Sequence, residues 1–468
     1  MAIACLNAAA WSIVIPPFQI SDEPDHFAYV QQLAENGRLP DASASRAYSP
    51  EEELAMQALH VDEVQLTPEI RPIASRAEQR VLERALRSSS PLQEPLSASV
   101  AATEPPLYYA LETIPYALAS HGTLLDRLEA MRLFSALWAG LTVLFTFLFV
   151  RELLPASPLA QITAALAVAL TPMLAQFSGA VNPDAMFFAI SAGTFYAVSH
   201  AFRRGLTQSM AAVIGALTAV GLLTKLNYIG LVPGVVLALA ILARRAAQIS
   251  QRAAYRALAL ALGIAASPVL VYVLVNLASG HPGLGVVSAA LNGRNGPVLS
   301  DVSYIWQFYL PRLPGMSSYF PGVLMTRLWL DGFVGLFGWN DTLFPGWVYS
   351  LALVPAGLIA ALCLRALFTA GGLLRLRAAE LLAYAVMAAG LLVLIGANSY
   401  VSDAVLHIGP YWQPRYLLPL IPLLGAALAL AVRGAGSRWA PVAATLIALL
   451  FLAQDLFGQL QTIARFYG

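Results

Sequence analysis

Charge is what this 468-residue sequence has least of: 11% of its residues are Asp, Glu, Lys or Arg, against 58% hydrophobic, and the mean hydropathy is +0.67. Soluble domains carry about 25% charged residues, so the composition excludes an ordinary soluble fold and leaves a polytopic membrane protein. Lysine is nearly missing, with Lys225 the sole example. Cysteine is scarce as well. Cys5 and Cys363 both fall inside apolar runs, which excludes a disulfide framework and a thiolate metal site. The six histidines form no HxxxH or HxH pair. No P-loop, Rossmann glycine pattern or Gly-x-Ser-x-Gly elbow occurs, which argues against nucleotide-driven chemistry or transport.

The few acids are segregated. Eighteen of the 26 lie between Asp22 and Glu129, so this amino-terminal stretch is aqueous and the remaining chain is largely apolar. Residues 1–17 read as a first transmembrane helix rather than a cleaved signal, because no basic n-region precedes the apolar run. That segment is shorter than the roughly 20 residues that cross about 30 Å of hydrocarbon, so its true start is expected upstream. The polar segment 18–128 follows, with amphipathic helices expected near 50–66 and 74–88. Further spans are expected at 131–150, 158–178, 184–201, 209–223, 226–243 and 257–277. An aromatic-rich outer segment, 278–344, precedes the last four spans at 345–364, 379–397, 416–432 and 439–458. Within that segment, 322–338 reads as an interfacial helix or a re-entrant hairpin. The fold class is therefore all-α and polytopic, with about eleven spans and the organisation 1–17, 18–128, 129–277, 278–344 and 345–468.

Arginines mark every second connection: Arg151, then Arg203 and Arg204, then Arg244, Arg245, Arg252 and Arg256, then Arg365, Arg375 and Arg377, then Arg433 and Arg438. Arginine is held on the cytoplasmic side during insertion. All these loops fit that side at once, which puts 18–128, 179–183, 224–227, 278–344 and 398–415 together on the outer face.

Every chemically suggestive motif falls on that outer face. Asp22, Glu23 and Asp25 with His26 put three acids and an imidazole into five positions, around Pro24. Carboxylates so crowded repel, which lets one hold its proton to higher pH and suits general acid–base work. Asn182-Pro183-Asp184 is an ordinary turn signal that also puts Asp184 at the head of a helix on the Asp22 side. Lys225, kept where this chain otherwise uses arginine, is a compact ammonium at headgroup depth and suits a phosphate. Arg415, in Tyr411-Trp412-Gln413-Pro414-Arg415-Tyr416, stands on the outer side against the insertion bias and suits bidentate binding of an anion. Trp306, Tyr309, Trp329, Trp339 and Trp347 read as interface anchors before sugar platforms. His281 and His407 carry no assignment.

With Asp22-Glu23 just past the first helix, Glu104-Pro105-Pro106-Leu107-Tyr108-Tyr109 closing the first loop and Asn182-Pro183-Asp184 in the second, the chain resembles the GT-C superfamily of membrane glycosyltransferases. DEPDH, NPD, LTKLNY and PRYLLPLIP resemble, within it, a bacterial family of predicted membrane proteins with a DExxH first-loop motif. Pro414 departs from the glycine expected there. The resemblance implies inverting transfer of a sugar from a polyprenyl-phosphate donor to a glycan, lipid or protein acceptor at the outer face of a bacterial plasma membrane. It implies Asp22 as general base, with Glu23 orienting the acceptor or sharing the proton. Lys225 and Arg415 would bind the donor phosphate, and Asp25, His26, Glu104, Tyr108 and Asp184 would support the acceptor. Some superfamily members hold a divalent metal, Mg or Mn; the acids at 22–25 permit one without demanding it. Two other classes stay open: a transporter or flippase of lipid-linked saccharides, and a lipid-linked oligosaccharide ligase or polymerase. No nucleic-acid partner is expected.

Overall fold

A computed structural model describes residues 1–41, 43–70, 75–87, 92, 94–278, 298–369, 375–407 and 409–468. His281 lies outside the described residues. The chain folds into a helical bundle with a smaller helical layer at one end. The bundle starts with α1 (Ala2–Val14), whose Ala4, Ala8 and Trp11 recur at helical spacing on one buried face. The end layer comprises α2 (Glu23–Asn36), α3 (Pro50–Ala58), α4 (Val61–Val64), α5 (Arg76–Arg87) and α6 (Leu107–Leu118). The expected amphipathic stretches thus appear as α3 with α4 and as α5.

The chain then returns to the bundle through α7 (Leu124–Leu153), α8 (Pro158–Ala169), α9 (Pro172–Ser178), α10 (Pro183–Arg204) and α11 (Gln208–Thr224), followed by α12 (Val232–Ala247) and α13 (Gln251–Ala278). Later helices run Val298–Tyr309, Met325–Gly335, Gly346–Thr369, Ala378–Tyr400, Ile421–Gly434 and Ala440–Phe466, with a two-stranded hairpin pairing Leu336–Phe337 with Thr342–Leu343. The helix Met325–Gly335 has 11 residues and reaches only about 16 Å, too short to span a bilayer.

Eight helices among the described residues are long and apolar enough to cross a membrane, or nine with α8 and α9 counted as one bent span. The other two expected spans are present as apolar helices of 13 and 17 residues, α1 and α11, so the expected count of eleven is not reached by length. The span expected at 158–178 is made of two helices, α8 and α9. Pro172 has no N–H to continue the ladder, and the chain bends by 55° there.

Helix α10 is the axis of the bundle. It is buried on nearly all sides, packing on α7 and α11, and its first turn carries Asp184. α9 lies against α1 so closely that a Cβ on Gly179 would collide with the carbonyl of Ala8. α13 instead shows most of its surface outward, and its small Ala257 and Ala261 let α11 approach at Gly215. At the far end of the bundle, His200 meets Glu152 at 2.8 Å and Arg377 donates to the Leu153 carbonyl at 2.8 Å. The arginine-bearing connections and the acid-rich layer therefore occupy opposite ends.

Candidate functional site

The stretch 15–22 turns the chain from α1 into α2. Asp22 sits at the N-cap with φ +66°, a left-handed conformation that costs a non-glycine residue about 1–2 kcal/mol. Pro24 falls in the first turn of α2, where its missing N–H leaves no partner unsatisfied. The next acid explains how the turn is held. Glu23 is fully buried and receives Arg132 from α7 through Nε at 2.7 Å and through Nη2. It also accepts from the backbone N–H groups of Phe18 (3.0 Å) and Val181 (3.2 Å). Arg132 spends its other donors on the carbonyls of Ser12, Ile15 and Pro16, which closes the end of α1. Every bonding position of this pair is used on the protein itself.

Asp22 points elsewhere. Its carboxylate pairs with Arg415, whose Nη1 also donates to the Ser21 carbonyl at 3.1 Å. Asn182 caps α10, accepting from the Asp184 N–H at 2.9 Å, and this local rule turns Asp184 inward. Asp184 accepts from Lys225 Nζ at 2.7 Å and stands 3.1 Å from Arg415 Nε. That second contact lacks hydrogen-bond alignment, so Asp184 Oδ2 and Arg415 Nε are buried without a hydrogen bond. Lys225 occupies an extended residue between the end of α11 and a 3-10 turn at Leu226–Leu231, so the helix breaks at the expected 224–227. Arg415 opens another 3-10 turn, Pro414–Leu420, with its guanidinium 4.9 Å from the Phe177 ring and 5.4 Å from the Tyr416 ring. The order of contact is Asp22, Arg415, Asp184, Lys225. Four sequence stretches converge on one cluster.

The remaining expected residues surround it. His26 Nδ1 meets the Tyr109 hydroxyl at 2.9 Å, and burial above all, with Lys225 and Arg415 nearby, lowers its pKa to about 3, so it is neutral. Asp25 faces away from Asp22's partners and accepts from the Tyr48 hydroxyl at 2.8 Å. Burial raises Asp25 to about 7, with the charge of Asp22 a lesser cause. Burial pushes Asp22 up too, but the charges beside it, Arg415 first, outweigh it and leave the group below its ordinary value. The acid that keeps its proton is thus Asp25, and desolvation rather than crowding is the main reason. Tyr108 is buried, with its hydroxyl 2.7 Å from Ser135 and accepting from the Asn182 N–H at 2.8 Å. Glu104 is half-buried, and desolvation above all holds it above its ordinary value, with Lys225, Asp184, Asp22 and Arg415 as lesser influences. Tyr411 and Tyr416 stack at 4.9 Å beside Arg415.

A divalent metal does not fit these donors. Asp22 turns to Arg415, Glu23 to Arg132 and Asp25 to Tyr48, and no three His, Cys, Asp or Glu side chains gather in a metal-binding arrangement among the described residues. Of the expected anchors, Trp329 is buried, donating to the Phe308 carbonyl at 2.7 Å, while Trp347 is exposed. Trp339 donates to the Phe18 carbonyl at 3.0 Å and so braces the turn before Asp22. Arg132 and Phe177 were not singled out in the sequence. Arg132 carried a readable signal, an arginine at the outer edge of a span.

A family model described as "Predicted membrane protein (DUF2142)" matches residues 5–424. No curated protein matches the chain. Two crystal structures of ArnT from Cupriavidus metallidurans, in the apo state and bound to undecaprenyl phosphate, are similar at TM-scores of 0.46 and 0.45, with 16% and 14% identity. Each alignment covers 92% of this chain and 59% of the other, so this chain spans less than two thirds of their length.

Proposed function

The chain belongs to the DUF2142 family of predicted membrane proteins, and from that premise we propose that it is a GT-C-type inverting glycosyltransferase. It moves a sugar from a polyprenyl-phosphate donor to a cell-envelope glycan, lipid or protein at the outer membrane face. The observation that carries this reading is the convergence of Asp22, Asp184, Lys225 and Arg415.

Transfer from a lipid phosphate needs a base at the acceptor and cations at the departing phosphate, whose charge grows as the bond breaks. The acceptor hydroxyl attacks the anomeric carbon as its proton passes to Asp22; the bond from that carbon to the phosphate oxygen breaks, and the phosphate leaves on Lys225 and Arg415. Before substrate arrives, Arg415 holds Asp22 as a weak base. A phosphate oxygen offered to Arg415 competes with Asp22 and frees its carboxylate, which becomes more basic when the acceptor is in place. The buried, unfilled Arg415 Nε gives that oxygen a donor. Glu23 is read as the anchor of the turn rather than an acceptor ligand, because Arg132 and two backbone N–H groups already occupy its oxygens. Tyr108 and Asn182 position Asp184, and no step requires a metal.

Replacing Asp22 with Asn keeps the side chain's shape and removes the base. Transfer from a radiolabelled polyprenyl-phosphate sugar in membranes is expected to fall by about 10²–10⁴-fold at unchanged protein level, the usual worth of general base catalysis. Full retained activity removes Asp22 from the mechanism. Movement of the labelled lipid across proteoliposomes with its sugar intact, and no transfer, would replace this reading with transport.

A further inference from the structure

Lys225 and Arg415 reach a phosphate only by giving up bonds they already make. Lys225 is engaged with Asp184, and the Arg415 Nη atoms with Asp22 and the Ser21 carbonyl. A donor already in place and bonded to nothing needs no such exchange, and its bond to a ligand is a full gain. Three buried polar atoms without a hydrogen bond belong to side chains in contact: Asp184 Oδ2, Arg415 Nε and the Tyr416 hydroxyl. The first two stand 3.1 Å apart, and the Tyr416 ring centre is 5.4 Å from the Arg415 guanidinium. Tyr416 shares the 3-10 turn Pro414–Leu420 with Arg415 and is 3% exposed, so its hydroxyl has left water without gaining a partner among the described residues. An unpaired buried hydroxyl is unfavourable, and a polar ligand removes that cost.

We propose, on the transferase reading above, that Tyr416 is a further ligand of the donor's phosphate, its phenolic O–H donating to a phosphate oxygen beside the Arg415 guanidinium. A phenol suits this place because it adds a donor without adding charge to a cluster that already pairs two cations, Lys225 and Arg415, with two carboxylates, Asp22 and Asp184. The residue is held ready. Its backbone N–H donates to the Gln413 carbonyl at 3.1 Å, and the Tyr411 ring stacks on its own at 4.9 Å with the planes 22° apart. The Tyr411 hydroxyl lies beside that of Tyr416 without hydrogen-bond alignment, which leaves the Tyr416 proton for a ligand. As the bond from the anomeric carbon to the phosphate oxygen breaks, negative charge collects on the phosphate and the hydrogen bond from Tyr416 strengthens. Tyr416 keeps its proton throughout, while the acceptor's proton passes to Asp22.

Tyr416→Phe removes the oxygen and keeps the ring against Tyr411 and Arg415. The full-length variant and the native protein are compared in detergent, with polyprenyl phosphate as the probe. Its Kd is expected to rise about 10–100-fold in the variant, the usual effect of losing a hydrogen bond to a charged group. The Tm of the ligand-free variant should be unchanged or higher, because the native hydroxyl has no internal bond to lose. Tyr411→Phe, which keeps the stack, should bind as the native protein does. A Tyr416→Phe Kd equal to the native one overturns the proposal and leaves the transferase reading standing. So does a lower ligand-free Tm in Tyr416→Phe, or the same weakening in Tyr411→Phe, since either makes the hydroxyl part of an internal tyrosine pair. Absence of polyprenyl phosphate binding by the native protein removes the transferase reading, and this inference with it.

Discussion

At the residue scale, two arginines in the sequence carry the same physical signal. Arg415 stood out because an outward arginine opposes the insertion bias; Arg132, at the outer end of a span, opposes it equally, and it proves to be the partner of Glu23. Pro414 departs from an expected glycine, and the structure shows what accommodates it: Gly332 lies against its ring, where a Cβ would collide. The partition of the acids at 22–25 was not readable, since burial decides it and burial is tertiary. Asp25 supplies the test. Its pKa is about 7 in the folded protein and about 4 unfolded, so the folded state binds the extra proton. Its contribution to stability is complete below pH 4 and is lost as pH rises towards 7. Thermal unfolding in detergent should show a loss of Tm from pH 5 to pH 7 that Asp25→Asn reduces; an unchanged loss in the variant contradicts the assignment.

At the element scale, hydropathy made most helices legible, because an apolar run of bilayer length has few other uses. What it did not reveal was the break between α8 and α9, although Thr171-Pro172 marked it. That break turns α9 under the site and sets Phe177 beneath Arg415. The turn 15–22 was legible only as an exit from the membrane. Its shape depends on Arg132 reaching across from α7 to the end of α1 and to Glu23. Arg132→Leu leaves Glu23 buried with no cation, a change that costs about 3–5 kcal/mol in comparable pairs. Unfolding temperature and transfer should both drop sharply. Adding Glu23→Leu should recover part of the stability without restoring transfer, since the α1 carbonyls stay uncapped and Asp22 is no longer held. Recovery of full activity in the double variant would show that the pair does not position Asp22.

At the scale of the whole molecule, the alternation of arginine loops grouped the motifs at one end, and the structure brings those motifs together there. Asp22 and Arg415 are 393 residues apart, and no periodicity joins them, so the contacts Asp22–Arg415–Asp184–Lys225 could be anticipated as a region but not as pairs. The buried helix α10 makes them possible by carrying Asp184 to the centre of the acid-rich end. The central claim is that this cluster is where a lipid phosphate and an acceptor meet, with Asp22 facing the acceptor. An experimental structure of the protein with a polyprenyl phosphate bound tests it most directly. The account predicts phosphate density within about 3 Å of both the Lys225 ammonium and the Arg415 guanidinium, at hydrogen-bond range, with the Asp22 carboxylate released from Arg415. Phosphate bound elsewhere while Asp22, Arg415, Asp184 and Lys225 keep their present pairing would contradict it.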